Sequence, residues 1–325
     1  MAREYDVITI GGTTMDAFMQ LGDEHAKYHY DKESGALCFR HGEKISVDRY
    51  DFAMGGNATN VAVGLSRLGF KATLCSEIGD DELSIKIRNT LAQENIERLF
   101  MVQTSGRSNF SVIINFKGDR TIFPETIERE NNFDLSDAAA KYVYLTSLGD
   151  KWEHAYEKAL AFVKEHKAVF AFNPGGSQLK KEGKEIVEKV LEATDLLFLN
   201  KEEAELLLFN HYGEKDDDSD NYLEKLAKKL QTRGPKIVVI TNGKEGSYCL
   251  DEAGKFYTKD MEPGEPVERT GAGDAYTAGF LAARMYNLSI EDAMKWGSHN
   301  AASVVAKVGA QAGLLKKEKM EERVK

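Results

Sequence analysis

Residues 268–276 of the chain read ERTGAGDAY. Two glycines flank a backbone turn in this stretch, and the small, apolar run that follows at 275–283 is typical of a helix. The first N–H groups of a helix have no partner inside the helix and carry positive partial charge, so such a turn can hold an anion. Glycine lets this backbone approach phosphate oxygens because it has no Cβ. The stretch therefore predicts an anion site at the start of a helix.

One carboxylate falls directly beside this predicted site. Asp274 lies in the first turn of the helix, next to the N–H groups of Gly271, Ala272 and Gly273. A carboxylate at this place can accept the proton of an attacking hydroxyl while the N–H groups stabilise charge on a transferring phosphoryl group. The alternative is that Asp274 only caps the helix, and the stretch taken alone leaves both interpretations open.

The chain around this stretch alternates β-rich runs with amphipathic helical patterns. Runs typical of strands occupy residues 7–10, 72–78, 142–148, 168–172, 196–199 and 236–241. Apolar residues at helical spacing mark the segment after 55–56 and residues 152–166, 201–209, 222–231, 273–286 and 290–308. Strands separated by crossover-length helices imply βαβ units. We therefore predict an α/β fold with a doubly wound, mainly parallel sheet and helices on both of its faces.

Two segments interrupt this alternation, at about 17–54 and about 98–124. Polar and apolar residues alternate in them around turns, which is the pattern of antiparallel strands. We expect both segments to be inserted into a single domain spanning residues 1–325, and to form a small β-sheet that projects from it.

Composition and charge exclude several classes of protein. The net charge of −10 argues against nucleic acid as a partner, because binding to its backbone needs clustered Lys and Arg. Cys38, Cys75 and Cys249 are far apart and in no CxxC spacing, which fits a reducing compartment. The first residues lack the apolar stretch of a signal peptide, and no apolar run approaches the ~18 residues of a membrane span. We expect a cytoplasmic protein without a membrane partner.

Two motifs together resemble a known family. Residues 270–274 (TGAGD) resemble the C-terminal signature of the ribokinase (PfkB-type) family of carbohydrate kinases, and residues 55–62 (GGNATNVA) resemble its N-terminal signature. They lie in the expected order, and the resemblance spans essentially the whole chain, including the inserted segments, which form a lid over the sugar in the family. The resemblance implies a ribokinase-like fold and a kinase that uses ATP and Mg²⁺ to phosphorylate a hydroxyl of a sugar or sugar-like small molecule.

The resemblance also implies roles for single residues on the substrate side. Asp274 matches the catalytic base of the family, and residues 271–273 match its anion hole. Asp16 matches a carboxylate that binds sugar hydroxyls. The substrate loop of the family corresponds here to Gly55, Gly56, Asn57 and Asn60. In that loop glycines permit close approach of a substrate, and asparagines offer both donors and acceptors.

On the nucleotide side, Asn200 and Glu203 resemble an Asn-x-x-Glu motif whose Glu organises Mg²⁺ and phosphates through water. The same pair also has the spacing of a helix capping box, and both interpretations can hold together. Further nucleotide-binding residues implied by the resemblance are Thr241, Gly243, Gly246 and Asn300. The alternative for residues 241–246 is a hairpin turn, and Asn300 is assigned to the adenine pocket.

The sequence leaves open whether the protein binds a monovalent cation such as K⁺. Members of the family often bind one through an Asp shortly before the Gly-Ala-Gly-Asp run, where this chain has Glu268 and Arg269. Residues 309–311 resemble the later part of that site.

Phosphosugar kinases of the family hold the existing phosphate of the substrate with an Arg, which Arg107 and Asn109 resemble. Ala58 and Thr59 depart from that pattern, which has Lys and Gly there. Arg120 is a second Arg that could face the substrate. For both arginines the favoured interpretation is a solvent-exposed side chain, because arginine is seldom buried in proteins.

Three alternatives accompany the sugar kinase interpretation. A phosphosugar kinase is the first, and a nucleoside (adenosine-type) kinase is the second, since Phe39, Phe52 and Phe110 could stack on a base. The third is a catalytically silent nucleotide- or sugar-binding protein, against which the presence of Asp274 with residues 271–273 counts. The exposed edges and apolar face expected of the lid predict a homodimer formed through it.

Overall fold

The computed structural model describes residues 2–22, 27–117, 119–125, 127–214, 221–264 and 267–325. Numbered along the chain, the strands are β1 (Arg3–Ile10), β2 (Thr14–Gln20), β3 (Tyr28–Asp31), β4 (Ala36–Phe39), β5 (Arg49–Gly55), β6 (Ala72–Ile78), β7 (Met101–Gln103), β8 (Phe110–Phe116), β9 (Asp119–Glu125), β10 (Ala138–Thr146), β11 (Val169–Asn173), β12 (Leu196–Asn200), β13 (Ile237–Thr241), β14 (Ser247–Leu250) and β15 (Phe256–Lys259). The helices are α1 (Asn57–Arg67), α2 (Glu82–Gln93), α3 (Glu153–His166), α4 (Lys184–Ala193), α5 (Lys201–Tyr212), α6 (Tyr222–Gln231), α7 (Ala272–Met285), α8 (Ile290–Val305) and α9 (Lys317–Arg323).

Nine of the described strands form the central sheet, in the order β15-β14-β13-β12-β11-β10-β1-β6-β7. The strands from β7 to β13 in this order pair in parallel, and β14 and β15 are antiparallel. All six strands that the sequence predicted belong to this sheet. The predicted doubly wound, mainly parallel sheet is confirmed.

Two hydrophobic cores lie on opposite faces of the sheet. Alternate residues of one strand enter different cores: Val7 belongs to the core that contains residues of α1, α7 and α8, and Ile8 to the core that contains residues of α3, α4 and α5. Burial on both faces explains why these strands are continuously apolar. Helices therefore cover both sides, as the alternation of strands and helices predicted.

The helix ends follow local chemistry. Asp81 caps α2 through a hydrogen bond from the Ser84 N–H, and Ser289 caps α8 through one from the Asp292 N–H. A side-chain acceptor at the N-cap satisfies one of the N–H groups that the helix leaves unpaired. These helices therefore begin where the sequence places an oxygen-bearing side chain.

The lid is a four-stranded sheet in the order β5-β2-β8-β9, with a hairpin of β3 and β4 beside it. The pairing of β2 with β8 is parallel, which the sequence pattern did not predict. The second insertion also begins later than predicted, since β7 pairs with β6 at the edge of the central sheet. Residues 23–26 and 118 of the two predicted insertions lie outside the described residues.

Strand register separates the lid into two faces. Asp16 lies opposite Ala53 and Ser111, and Arg120 lies opposite Asn115, four positions further along β8 than Ser111. Because side chains alternate along a strand, Asp16 and Arg120 share a face, which we call the inner face. Phe52 lies on the other, outer face.

Across the described residues, none of the helices has the length and apolar content needed to cross a membrane.

Candidate active site

A cavity of about 250 Å³ lies at the carboxyl ends of β11, β12 and β13, against the start of α7. In open α/β sheets this edge is the usual place for a ligand. The residues around the cavity that the sequence predicted as site residues are Asn57, Asn200, Glu203, Thr241, Gly271, Ala272, Gly273 and Asp274. The tertiary fold therefore brings together parts of the substrate loop, the nucleotide segments and the glycine turn.

The glycine turn begins α7 in a conformation that glycine favours. Gly271 is the N-cap, with φ of 77°, and a Cβ there would lie 2.4 Å from the Cβ of Ala310. The N–H of Ala275 donates to the Gly271 carbonyl and so forms the first intrahelical bond. The N–H groups of Gly273 and Asp274 precede that bond and have no intrahelical acceptor. They line the cavity as donors suited to an anion.

Asp274 is a buried carboxylate at this helix start. Its Oδ2 accepts a hydrogen bond from Nδ2 of Asn60 at 2.8 Å. Burial raises the pKa of Asp274 to about 7, because an ionised carboxylate loses hydration in the interior. The Asn60 hydrogen bond lowers this pKa, and the negative charge of Glu203 raises it. A carboxyl group with a pKa near neutrality is suited to accept and release a proton.

Asn60 is not in the cavity lining. Its Nδ2 donates to Asp274, and its Oδ1 accepts from Nε2 of Gln311 at 2.8 Å. Both ends of the amide are thus engaged within the protein, and the side chain is buried. In this structure Asn60 contacts the Asp274 carboxylate, and the substrate contact that the resemblance implies stays a prediction. Asn57, one turn earlier, does line the cavity.

Asp16 lies on the inner face of the lid and is not part of the cavity lining. It is buried, and burial raises its pKa to about 6, with a hydrogen bond to Ser111 acting in the opposite direction. A Cβ on Gly55 would lie 2.1 Å from Oδ2 of Asp16. Glycine at position 55 therefore makes room for the Asp16 carboxylate. Gly56, the N-cap of α1, has φ of 99°.

Asn200 and Glu203 form the predicted capping box at the start of α5. Oδ1 of Asn200 accepts from the Glu203 N–H at 2.8 Å, and Oε2 of Glu203 accepts from the Asn200 N–H at 2.9 Å. Burial raises the pKa of Glu203. No group of three His, Cys, Asp or Glu side chains arranged to hold a metal occurs among the described residues. A hydrated Mg²⁺ fits this arrangement, because that ion keeps several waters and needs only one or two carboxylates besides phosphates.

Thr241 ends β13 and lines the cavity, whereas Gly243 and Gly246 are not in its lining. The two glycines belong to the turn between β13 and β14, which pair as an antiparallel hairpin. A Cβ on Gly246 would lie 2.2 Å from the Lys259 carbonyl oxygen, so this glycine is needed for the turn itself. The hairpin interpretation is confirmed for these residues.

Three further predicted residues are not in the cavity lining. Asn300 is fully buried, and both ends of its amide are bonded within the protein, Nδ2 donating to the Ala275 carbonyl and Oδ1 accepting from the Leu315 N–H. Asn109 donates to the Thr13 carbonyl and accepts from the Ile127 N–H. Arg107 is 69% exposed and forms an ion pair with Glu125. The structure therefore does not support the contacts that the resemblance implies for these three residues.

Arg120 and Arg269, in contrast, line the cavity. The sequence favoured a solvated charge for Arg120, but its side chain is only 29% exposed and its Nε lies 3.8 Å from Oε1 of the buried Glu268. The missing information was the pairing of β9 with β8, which places Arg120 on the inner face. Asn173, at the end of β11, is another lining residue that no local motif identified.

The aromatic residues that supported a nucleoside substrate have other positions. Phe52 and Phe110 lie on the outer face of the lid, opposite to Asp16. Phe39 lies in the β3–β4 hairpin and packs against Tyr28, with ring centroids 6.1 Å apart. A base held beside Asp16 would not stack on Phe52 or Phe110, which removes that argument for a nucleoside kinase.

Comparison with known proteins gives a family match over most of the chain. The family model for pfkB family carbohydrate kinases matches residues 26–317. The ribokinase of Haemophilus influenzae is 26% identical over 286 residues, which cover 84% of this chain and 88% of that protein. The 5-dehydro-2-deoxygluconokinase of Geobacillus kaustophilus is 26% identical over 281 residues, or 81% of each chain.

Solved structures share the fold. The ribokinase of Thermotoga maritima has a TM-score of 0.76 at 21% identity, covering 98% of this chain and 99% of its own. The nucleoside kinase of Methanocaldococcus jannaschii has a TM-score of 0.72 at 22% identity, covering 98% of both chains. With a family model that extends over most of its length, the chain belongs to the pfkB family of carbohydrate kinases, the ribokinase family, and is a phosphotransferase with an alcohol group as acceptor.

Proposed function

We propose that the chain transfers the γ-phosphoryl group of ATP to a hydroxyl of a sugar or sugar-like small molecule, with Asp274 as the catalytic base. The observation that carries this proposal is the buried carboxylate of Asp274 beside the unpaired N–H groups at the start of α7. A base and an anion site that share one turn of backbone are what phosphoryl transfer to a hydroxyl requires.

In the proposed reaction, Asp274 accepts the proton of the substrate hydroxyl as that oxygen approaches the phosphoryl group. At the Gly271–Gly273 turn, the N–H groups of Gly273 and Asp274, which have no intrahelical acceptor, donate hydrogen bonds to the phosphoryl oxygens. Arg120 and Arg269 add positive charge at the same cavity. Asp16 accepts hydrogen bonds from other hydroxyls of the substrate, since an ionised carboxylate is an acceptor only. These contacts orient the attacking hydroxyl.

Asn200, Glu203 and Thr241 are proposed to hold the nucleotide phosphates and Mg²⁺, with Glu203 acting through water. When bound, Mg²⁺ would neutralise charge that develops on the phosphates. The chain's own contribution is a carboxylate whose orientation is set by the Asn200–Glu203 capping box. The inner face of the lid would exclude water from the cavity and so limit hydrolysis of the nucleotide.

A monovalent cation is left out of the proposal. The buried Glu268 carboxylate accepts hydrogen bonds from the N–H groups of Thr270 and Gly309 and lies beside the Arg120 guanidinium. Its charge is therefore compensated by groups of the chain itself. Replacing K⁺ in the assay by tetramethylammonium should therefore change turnover by no more than about twofold. A larger loss would contradict this expectation, because the loss of a required cation contact would lower turnover by more than that factor.

We further propose a homodimer formed through the lid of a single-domain subunit. Tyr50, Phe52 and Phe123 are exposed large apolar residues that share the outer face. Contiguous apolar residues on an exposed sheet face are typical of association surfaces. Sedimentation at micromolar concentration tests the proposal, because a monomer alone would contradict it.

The unpaired Cys38, Cys75 and Cys249 support the expected cytoplasmic location.

The test of function is ADP release from Mg-ATP across a panel of sugars, sugar acids, sugar phosphates and nucleosides. Asp274→Asn should lower kcat on the accepted substrate by about 10²–10⁴, the usual contribution of a positioned base. Asp292→Asn is a matched control, since Asp292 occupies the same third position in α8 without being buried.

The outcomes separate the alternatives. Turnover of one substrate class that is lost in Asp274→Asn and kept in Asp292→Asn supports the proposal and names the substrate. Turnover restricted to sugar phosphates or nucleosides would replace the sugar with that class. Nucleotide binding without turnover on any member of the panel would favour a silent binding protein, and near-normal turnover by Asp274→Asn would refute the assignment of the base.

A further inference from the structure

We propose that Gln311 is a positioning residue for Asp274, because it holds the side-chain amide of Asn60 in the orientation that presents Nδ2 to the carboxylate. The inference rests on the proposed function in so far as Asp274 is the base. It concerns three buried side chains from the glycine-turn helix, α1 and the loop after α8, which the fold brings into contact.

The three side chains form a directed chain of hydrogen bonds. Nε2 of Gln311 donates to Oδ1 of Asn60 at 2.8 Å, and Nδ2 of Asn60 donates to Oδ2 of Asp274 at 2.8 Å. The exposed fractions of Gln311, Asn60 and Asp274 are 7%, 3% and 9%. With so little water available, each group depends on the protein for its partner.

The direction of this series of hydrogen bonds depends on which donors and acceptors its members offer. An amide has an acceptor oxygen and a donor NH₂ of nearly the same shape, so Asn60 fits its site in two orientations. An ionised carboxylate only accepts, and therefore one orientation suits Asp274 while the other places two oxygens together. In the unfavourable orientation the NH₂ of Asn60 would also face the NH₂ of Gln311. The Asp274 carboxylate thus selects this orientation of Asn60, and the Nε2 donor of Gln311 matches it and holds it from the other side.

The loop that carries Gln311 is fastened to the helix that carries Asn60. Nη1 of Arg67 donates to the backbone carbonyls of Gln311 at 2.7 Å and of Leu314 at 3.1 Å. Arg67 is at the end of α1, two turns beyond Asn60 and on the same side of the helix. A two-point ion pair with Glu94 holds the guanidinium in place. The distance between Gln311 and Asn60 is therefore set by a second, independent contact.

The other charged groups around Asp274 do not depend on Gln311. Glu203 of α5 raises its pKa, and the buried Tyr144 of β10 is close enough to feel its charge. Arg120 of β9 and Arg269 line the same cavity. None of these four side chains has a hydrogen bond to Gln311 among those described. A change at Gln311 should reach Asp274 through Asn60.

The experiment follows the carboxyl carbon of Asp274 directly, so it needs no substrate. Protein labelled with ¹³C at the aspartate carboxyl carbons is titrated by NMR, and the Asp274 resonance is assigned by its loss in Asp274→Asn. Gln311→Met keeps the length of the side chain but removes the donor. We expect its midpoint to rise by about one pH unit, as for a weakened hydrogen bond to a charged group.

Asn60→Ala should raise the midpoint at least as far, and adding Gln311→Met to it should produce no further rise, since Gln311 acts through Asn60. Gln178→Met is the matched control. It removes a donor from another fully buried glutamine, which bonds the Leu148 carbonyl, and it should leave the Asp274 midpoint unchanged. If Gln311→Met does not fold, Gln311→Leu takes its place, because it also removes the donor and adds no charge beside Asp274.

A midpoint in Gln311→Met within about 0.2 of the unsubstituted protein, with a rise in Asn60→Ala, overturns the inference. A further rise in the double variant overturns it as well. In the kinase assay, the acid limb of the kcat profile should move with the NMR midpoint. If Asp274→Asn keeps its turnover, the proposed base fails while the NMR titration still decides the role of Gln311.

Discussion

Nε of Arg120, on lid strand β9, lies 3.8 Å from Oε1 of Glu268, whose side chain is only 2% exposed. The same oxygen of Glu268 accepts a hydrogen bond from the Thr270 N–H at 2.6 Å, immediately before the glycine turn. The pair therefore links the inner face of the lid to the segment that leads into α7. The buried carboxylate of Glu268 therefore interacts both with Arg120 of the lid and with the backbone that precedes the anion site.

Arg120→Met should lower the free energy of unfolding by about 1–3 kcal/mol, because it leaves Glu268 buried without its cationic neighbour. Adding Glu268→Gln should recover most of that loss, so the two changes should not be additive. Chemical denaturation of the two single variants and the double variant measures this coupling. Arg107→Met is the matched control on the same lid, and its exposed ion pair with Glu125 should cost no more than about 0.5 kcal/mol. Additive losses would refute the coupling.

The charge on Asp274 should destabilise the fold at high pH. Its pKa is about 7 in the folded protein and about 4 in an unfolded chain, so the folded state keeps a proton that the unfolded state has lost between these values. The stability that this group contributes is complete below pH ~4 and is lost as the pH rises through ~7.

Asp274→Asn removes that charge, and its stability relative to the unsubstituted protein should increase between pH 5 and 8 by up to ~3 kcal/mol. Thermal unfolding at pH 5, 6, 7 and 8 measures the difference in Tm between the two proteins. Asp292→Asn, at the same position of α8 but not buried, controls for loss of a carboxylate from a first helical turn. A difference in Tm that is constant over this interval would contradict the prediction.

Two carboxylates should control the acid side of the pH profile of kcat/KM. Burial places the pKa of Asp274 at about 7 and that of Asp16 at about 6. If both must be ionised, log kcat/KM falls with a slope near one just below pH ~7 and near two below pH ~6. Asp16→Asn should leave a slope near one throughout, with a much lower kcat/KM. A slope near one at pH 5 in the unsubstituted enzyme would remove the requirement for ionised Asp16.

Gly55→Ala should displace the Asp16 carboxylate, because the new Cβ would lie 2.1 Å from its Oδ2. A misplacement of about 1 Å in a positioning group can cost about 10²-fold, so we expect kcat/KM to fall by a factor between about 10 and 10². Steady-state kinetics on the accepted substrate measure the loss. Gly176→Ala is the control, since nothing lies within 4 Å of its Cβ position. Equal kinetics for both variants would show that Gly55 does not set the position of Asp16.

Much of the fold was readable from the sequence, because strand and helix patterns depend on residues close together in the chain. The six apolar runs predicted as strands all belong to the central sheet, and α6 begins and ends where its pattern predicted, at Tyr222 and Gln231. Burial on both faces keeps such strands continuously apolar, which is a local signal. The parallel pairing of β2 with β8 and the return of β7 to the main sheet were missed, since both depend on partners distant in sequence.

The same distinction between local and distant contacts applies to the residues of the site. The glycine turn with Asp274 and the Asn200–Glu203 capping box are local motifs, whose backbone geometry follows from four or five consecutive residues, and the sequence by itself was enough to locate them. Only the tertiary structure separated Asn57, which lines the cavity, from Asn60, which bonds Asp274 and Gln311. The role of a polar side chain is decided by the groups opposite it, and for Asn60 these come from positions 214 and 251 residues away.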